Sequence, residues 1–134
     1  MDSLRLTLVT PLKKVLESVE VSEIRVPADK GELTIFPSHS PLVTTLDTGV
    51  LTYIKKGSSD AHKAVITWGY CEIINGEVNL LAETAETIDK IDLEASKKNK
   101  AEAETALNSN KLNPEEIEKT LHKLKKANAE LSLG

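Results

Sequence analysis

Residues 26–51 read VPADKGELTIFPSHSPLVTTLDTGVL, and this stretch decides the fold. Extended runs alternate in it with turn chemistry. Pro27 ends one extended run, Lys30 and Gly31 make a turn, and residues 32–36 return as a strand. Pro37 and Pro41 then bracket a polar loop, Ser38-His39-Ser40. Each proline fixes its own φ and pushes the preceding residue away from helical geometry. Residues 42–46 and the run from Val50 resume the extended chain around Asp47, Thr48 and Gly49. A loop pinned between strands is rigid and exposed, which suits a contact surface better than a deep pocket.

The pattern continues on both sides. Residues 4–10, LRLTLVT, alternate with period two, as a half-buried strand does. Residues 11–14 are a turn, and residues 15–20 and 23–26 are β-rich with a break near Ser22. Residues 50–54 and 63–68 pair across a polar loop. Gly69 interrupts a strand pattern and predicts a bulge or sharp bend before residues 70–74. Asn75-Gly76 is the strongest hairpin signal, because a type I′ turn needs positive φ at both central residues. Residues 77–81 form its second arm. Short strands at this spacing predict a sandwich or barrel.

The character changes after Ala85. From Asp92 the chain is rich in Ala, Glu and Lys with no turn residue until Asn108, which is helix composition. Asp92 is placed to cap the first helix. Asn113, Pro114 and Glu116 mark the start of a second. A short loop between them predicts an antiparallel hairpin. The expected organisation is an antiparallel β-sandwich over residues 1–85, a linker over 86–91 and a helical hairpin over 92–134. On the second helix Ile117, Leu121, Leu124 and Leu131 line one side, and Lys119, Lys123 and Lys126 fall on the opposite side. Four such apolar side chains contribute roughly 6–12 kcal/mol on full burial. The first helix adds only Leu93 and Leu107, so the hairpin is expected to be marginally held and able to detach from the sandwich.

Composition narrows the functions. Of the 134 residues 40 % are apolar but only 3 % aromatic, so the core is aliphatic. The net charge of −4 gives no basic field for nucleic acid. A lone cysteine, Cys71, excludes an internal disulfide and is expected to be a core residue. The amino-terminal residues lack a signal-peptide pattern, and no apolar run reaches the ~20 residues of a membrane span. The expectation is a soluble intracellular protein without direct membrane insertion. No Gly-rich loop ends in Gly-Lys-Ser/Thr, and His39, His62 and His122 show no metal-ligand spacing with one another or with Cys71. Ser38, His39 and Ser40 are neighbours in sequence, which does not make a catalytic pair. A contact role and a loop-capping role for His39 stay equally open. No catalytic residue, metal or cofactor is expected.

The residues resemble the epsilon subunit family of bacterial F-type ATP synthases, the counterpart of the mitochondrial delta subunit. The resemblance spans essentially the whole chain. It is carried by Val26-Pro27, Gly31-Glu32-Leu33, Ile35-Phe36-Pro37, His39-Ser40-Pro41-Leu42, Leu46, and Gly49-Val50-Leu51, with Leu8-Val9-Thr10-Pro11 and Leu80-Leu81-Ala82-Glu83 in support. Thr34, Ser38 and Ser40 replace the family's usual glycine or alanine, and Trp68 stands at the first glycine of a Gly-Gly-aromatic pattern. The resemblance implies a non-catalytic rotor subunit in the central stalk, peripheral on the cytoplasmic face of the bacterial membrane. Its sandwich would bind the gamma subunit and the c-subunit ring, with Glu32, Ser38, His39 and Ser40 in the contact segment, and so couple proton or sodium flow to ATP synthesis. Its hairpin would lie folded or extend into the catalytic alpha/beta head and inhibit hydrolysis, with Lys119, Lys123 and Lys126 meeting an acidic surface. Lysine lacks the bidentate fork of arginine. Some family members bind ATP on the folded hairpin through Ile/Leu-Asp-any-any-Arg-Ala. Here residues 91–96 keep Asp92 but carry Ala95 and Ser96, so nucleotide binding is not expected. An ATP-responsive sensor is the alternative reading, and an independent enzyme is a third that the missing constellations disfavour.

Overall fold

The computed structural model describes residues 4–133. Nine strands are followed by two helices: β1 (Leu4–Val9), β2 (Lys14–Ala28), β3 (Gly31–Ile35), β4 (Leu42–Leu46), β5 (Gly49–Lys55), β6 (Ala61–Ile66), β7 (Gly69–Ile74), β8 (Glu77–Ala82), β9 (Ala85–Thr87), α1 (Leu93–Asn108) and α2 (Pro114–Leu133). The fold is a β-sandwich with a carboxy-terminal helical hairpin.

The long strand β2 builds both layers. Its first half pairs with β1, from Lys14 opposite Val9 to Val21 opposite Leu4. Its second half lies between β5 and β3, with Ile24 opposite both Tyr53 and Ile35. The pairing with β5 shifts between Val21 and Glu23. This corrects the expected break at Ser22. The strand is continuous, and an inserted residue moves its inward set from Val21 to Ile24 and Val26, all fully buried. Pro27 likewise does not end the run. It sits within β2 opposite Glu32, and the turn is made by Asp29 and Lys30.

One layer runs β3-β2-β5-β6-β9 and the other β2-β1-β8-β7-β4. The sandwich is not wholly antiparallel, which is a second correction. β1 and β8 run parallel, with Leu6 opposite Val78 and Leu8 opposite Leu80. They are distant in sequence, and no hairpin turn constrains their direction. The sheet also runs on beyond residue 85, since β9 pairs Ala85–Thr87 with Ile66–Ala64. Between the layers lies an aliphatic core from β1 through β8, including Leu6, Ile24, Ile35, Leu46, Leu51, Ile66, Ile73 and Leu80. Asn75 and Gly76 have φ of 49° and 78°, the turn their sequence requires.

Both helix starts follow from capping chemistry. The Asp92 carboxylate accepts from the N–H groups of Glu94 and Ala95 at 3.0 and 3.1 Å. Asn113 accepts from the Glu116 N–H at 2.8 Å, and the Glu116 carboxylate accepts from the Asn113 N–H at 3.3 Å, a reciprocal box. The expected docking face of α2 is wrong. Ile117 and Leu121 remain exposed, Leu124 and Leu131 are half-buried, and the fully buried positions are Ala127, Ala129 and Glu130. At 100° per residue these lie on other sides of the helix. α2 rests against β5 and β6, with Leu124 and Leu131 half-buried and only Ile117 and Leu121 of the stripe left outside.

Candidate functional site: two contact faces

Among the described residues there is no cluster of three metal-ligating side chains. No helix is long and apolar enough to cross a membrane. The side chains that could do work lie on the surface.

The first face is the outer side of β4, β7 and β8. Alternation buries Cys71, Ile73, Val78 and Leu80 and turns their neighbours outward. Val43 is 69 % exposed, Tyr70 57 % and Leu81 45 %. Tyr70 stands directly opposite Leu81, and Val9 of β1 comes next in the same row. Glu72 and Asn79 interleave with them and bond to each other at 3.5 Å. Cys71, facing inward, is buried, and desolvation pushes its thiol up to about 11. It is therefore unreactive at neutral pH.

The loop 37–41 joins this face through β4. Ser38 takes a positive φ of 71°, and the His39 N–H donates to the Phe36 carbonyl at 3.2 Å. His39 Nδ1 lies 2.7 Å from the Ser40 carbonyl. The loop thus presents Ser38, His39 and Ser40 together, and Phe36 beside it is also exposed. Glu32 is not with them. It sits at the opposite end of β3, beside the Asp29-Lys30 turn. Four residues of strand separate it from Phe36 by about 13 Å. At its end Asp29 accepts a hydrogen bond from Thr45.

The second face is the groove between α2 and the sandwich. Lys119, His122, Lys123 and Lys126 form one wall, and Trp68, Glu83 and Thr84 the other. Lys119 and Lys123 remain exposed on this wall. Lys123 pairs with Glu102 of α1 at 3.3 Å, Lys119 with Glu115 at 3.7 Å, and Lys126 is half-buried. Nearby, Lys125 Nζ donates to Asp47 Oδ2 at 2.8 Å. That hydrogen bond, opposed by partial burial, holds the Asp47 carboxyl below its usual range. The far wall is fixed where the chain crosses between layers. The Glu83 N–H donates to the Trp68 carbonyl at 3.0 Å, and the Thr84 N–H donates to Thr67 Oγ1 at 2.8 Å. Gly69 follows because a Cβ there would lie 1.7 Å from the Leu81 carbonyl oxygen.

Asp92, Ala95 and Ser96 open α1 beside Lys123, Lys126 and Glu130. Ser96 Oγ lies 3.1 Å from Glu130 Oε1, and both residues are buried. Sequence reading missed Trp68, Asp47 and Lys125 as contacts, along with the outward set Val43, Tyr70 and Leu81. The period-two alternation of β7 and β8 was a usable signal for that set. The groove had no local signal, because its two walls come from residues 35 to 58 positions apart.

Residues 3–88 match the family of ATP synthase delta/epsilon chain beta-sandwich domains. The ATP synthase epsilon chain of Bdellovibrio bacteriovorus is 50 % identical over 95 residues, 71 % of this chain and 68 % of its own. That of Geobacter metallireducens is 46 % identical over 115 residues, 86 % of this chain and 80 % of its own. In fold, the chain is similar to one in the Euglena gracilis mitochondrial ATP synthase OSCP/F1/c-ring structure, with a TM-score of 0.87 at 22 % identity, covering 100 % of this chain and 83 % of that one. A chain of the Tetrahymena thermophila mitochondrial ATP synthase central stalk and c-ring gives a TM-score of 0.54 at 18 % identity over 65 % of this chain and 68 % of that one. With its sandwich matched to this family and its sequence close to that of bacterial epsilon chains, the chain belongs to the ATP synthase delta/epsilon family as an epsilon subunit.

Proposed function

We propose that the protein is a non-catalytic rotor subunit of the central stalk. In this reading it binds the gamma subunit and the c-subunit ring and couples ion flow to ATP synthesis. The complex holds it peripherally at the cytoplasmic face of the membrane. The observation that carries the reading is the exposed outer face of β4, β7 and β8, where Tyr70 stands opposite Leu81 and Val43 lies two residues along β4 from the Thr45 that faces Tyr70. A patch of aromatic and aliphatic side chains rimmed by polar groups is the composition of a protein interface. The loop with Ser38, His39 and Ser40 continues that face through β4, which assigns it to the gamma contact. Glu32, at the opposite end of β3, is assigned to the ring.

The hairpin is the inhibitory arm. Extended toward the alpha/beta head, its Lys119, Lys123 and Lys126 meet an acidic surface and block hydrolysis. The ATP-sensor reading is weaker. Ala95 offers no guanidinium to a phosphate, and the buried carboxylate of Glu130 already occupies the hollow beside Ser96. The test is gamma binding by Tyr70→Asp and Val43→Asp variants. Each places a charge in the centre of the patch, and affinity is expected to fall by about tenfold or more. Unchanged gamma binding by both variants sinks the assignment of this face.

A further inference from the structure

Glu32 lies on β3, and among the described residues β3 pairs with β2 alone. Pro27 is directly opposite Glu32, and Ala28 opposite Gly31 closes the turn. The position of Glu32 is therefore set by whatever holds the end of β2. The pairing of β2 with β5 stops at Arg25 opposite Thr52. From there residues 26–33 form a two-stranded ribbon, which is marginal unless something else supports it. The support comes from β4 and the corner between β4 and β5. Pro27 has no N–H, but its carbonyl accepts from the Asp47 N–H at 2.7 Å. Ala28 stands opposite Leu46, the single strand pair between β2 and β4. The Thr45 hydroxyl donates to Asp29 Oδ2. These contacts step in antiparallel register, and side chains make the last rung because the turn begins at Asp29. Beside them Gly49 lies against Pro27, where a Cβ would come within 2.8 Å of the proline Cβ. Past this seam the free edges of β3 and β4 part around a groove lined by residues 28–33 and 42–45.

We infer that Thr45 and Asp29 are positioning residues for the ring contact. They fasten the turn beside Glu32 to the layer that carries the gamma face. The inference rests on the proposed assignments of Glu32 to the ring and of the β4, β7 and β8 face to gamma. Thr45 belongs to both regions: its backbone stands opposite Tyr70 on that face, and its hydroxyl reaches the turn. A coupling subunit passes force from one partner to the other, so a joint that yields between the two contacts absorbs it. The backbone rungs at Pro27 and Ala28 set the register of the joint. The Asp29–Thr45 bond extends it to the turn itself, next to the strand residue that faces the ring. Both side chains are exposed, so the bond adds little to the stability of the sandwich. Its contribution is to the placement of the turn.

The test uses the full chain bound to gamma, with the isolated c-subunit ring in detergent as the probe. Thr45→Val keeps the side-chain shape and removes the donor, and Asp29→Ala removes the acceptor. Each is expected to quicken amide exchange over residues 28–32 about three- to tenfold and to weaken ring binding by a similar factor. Exchange in β1 and β8, the urea midpoint and gamma affinity are expected to stay at their wild-type values. The Thr45→Val, Asp29→Ala double variant is expected to be no weaker than either single one. Thr45→Ser restores the hydroxyl and is expected to restore ring binding. Glu32→Gln checks the underlying assignment. Unchanged exchange in both single variants overturns the seam's role in holding the turn. Faster exchange with unchanged ring binding overturns the positioning role alone if Glu32→Gln weakens ring binding. If Glu32→Gln leaves it unchanged too, the assignment of Glu32 to the ring falls, and the inference with it. Gamma affinity lost in Thr45→Val but kept in Asp29→Ala makes Thr45 a gamma contact and overturns its role as a positioning residue.

Discussion

Replacing Ser96 by alanine tests the hairpin without touching the sandwich. Ser96 is 2 % exposed and Glu130 8 %. The Ser96 hydroxyl lies 3.1 Å from Glu130 Oε1 and 3.1 Å from the Asp92 carbonyl, and it has one proton to give. Given to Glu130, that proton supplies the carboxylate's only hydrogen bond among the described residues. Ser96→Ala removes it and leaves a buried acceptor without a partner, which costs about 1–3 kcal/mol. Expressed as an opening equilibrium, that is about a 5- to 150-fold rise in the fraction of parted helices. The assay is amide hydrogen exchange on α1 and α2, with the amides of β1 and β7 as internal control. Exchange is expected to quicken in both helices and hold steady in the strands. Combining Ser96→Ala with Glu130→Leu removes both polar groups and is expected to recover most of the protection. Protection unchanged in the helices, or lost equally from helices and strands, refutes the reasoning.

Other outcomes follow from single contacts. Gly69→Ala is expected to cost the sandwich about 1–3 kcal/mol or more in urea unfolding, because the new methyl meets the Leu81 carbonyl and the backbones must part. Asp92→Ala loses two cap bonds and about 1 kcal/mol of α1, seen as reduced helicity by circular dichroism with gamma binding intact. Because Lys125 depresses the Asp47 carboxyl, the pair's contribution is fully present above the usual carboxylate value and fades only as pH falls through the lowered one. Hairpin docking followed by Trp68 emission should therefore lose this contribution only below about pH 4. Asp47→Asn should abolish that acid step. Cys71 should resist alkylation at neutral pH until the sandwich unfolds, since burial both shields it and raises its pKa.

Local chemistry was legible and distant pairing was not. Asn75-Gly76 and the caps at Asp92 and Asn113 are decided by neighbours within a few residues, and the structure has each as read. Ser22 shows the intermediate case. The change of alternation was visible, but only the β5 register distinguishes a bulge from a break. The parallel pairing of β1 with β8 joins segments about 70 residues apart, and periodicity carries no sign of strand direction. The helix face failed for a related reason. An amphipathic stripe marks where apolar side chains lie on the helix, not which face a neighbour accepts. Here the fully buried positions are Ala127, Ala129 and Glu130, while Ile117 and Leu121 stay exposed and Leu124 and Leu131 are half-buried. For the candidate site, the loop residues were found together, but Glu32 belongs to the other end of β3, and a strand's length cannot be seen in a motif read as one block.

The central claim divides the molecule into a coupling sandwich and an inhibitory arm. It is tested most directly by ATP hydrolysis of the catalytic head with its gamma subunit, adding either the full chain or a chain ending at Asp89. That end point keeps β9 and the whole sandwich core. The account predicts that both bind gamma and that only the full chain slows hydrolysis. Equal hydrolysis with both bound would contradict it, leaving a structural coupler whose lysine-bearing helix has no inhibitory role.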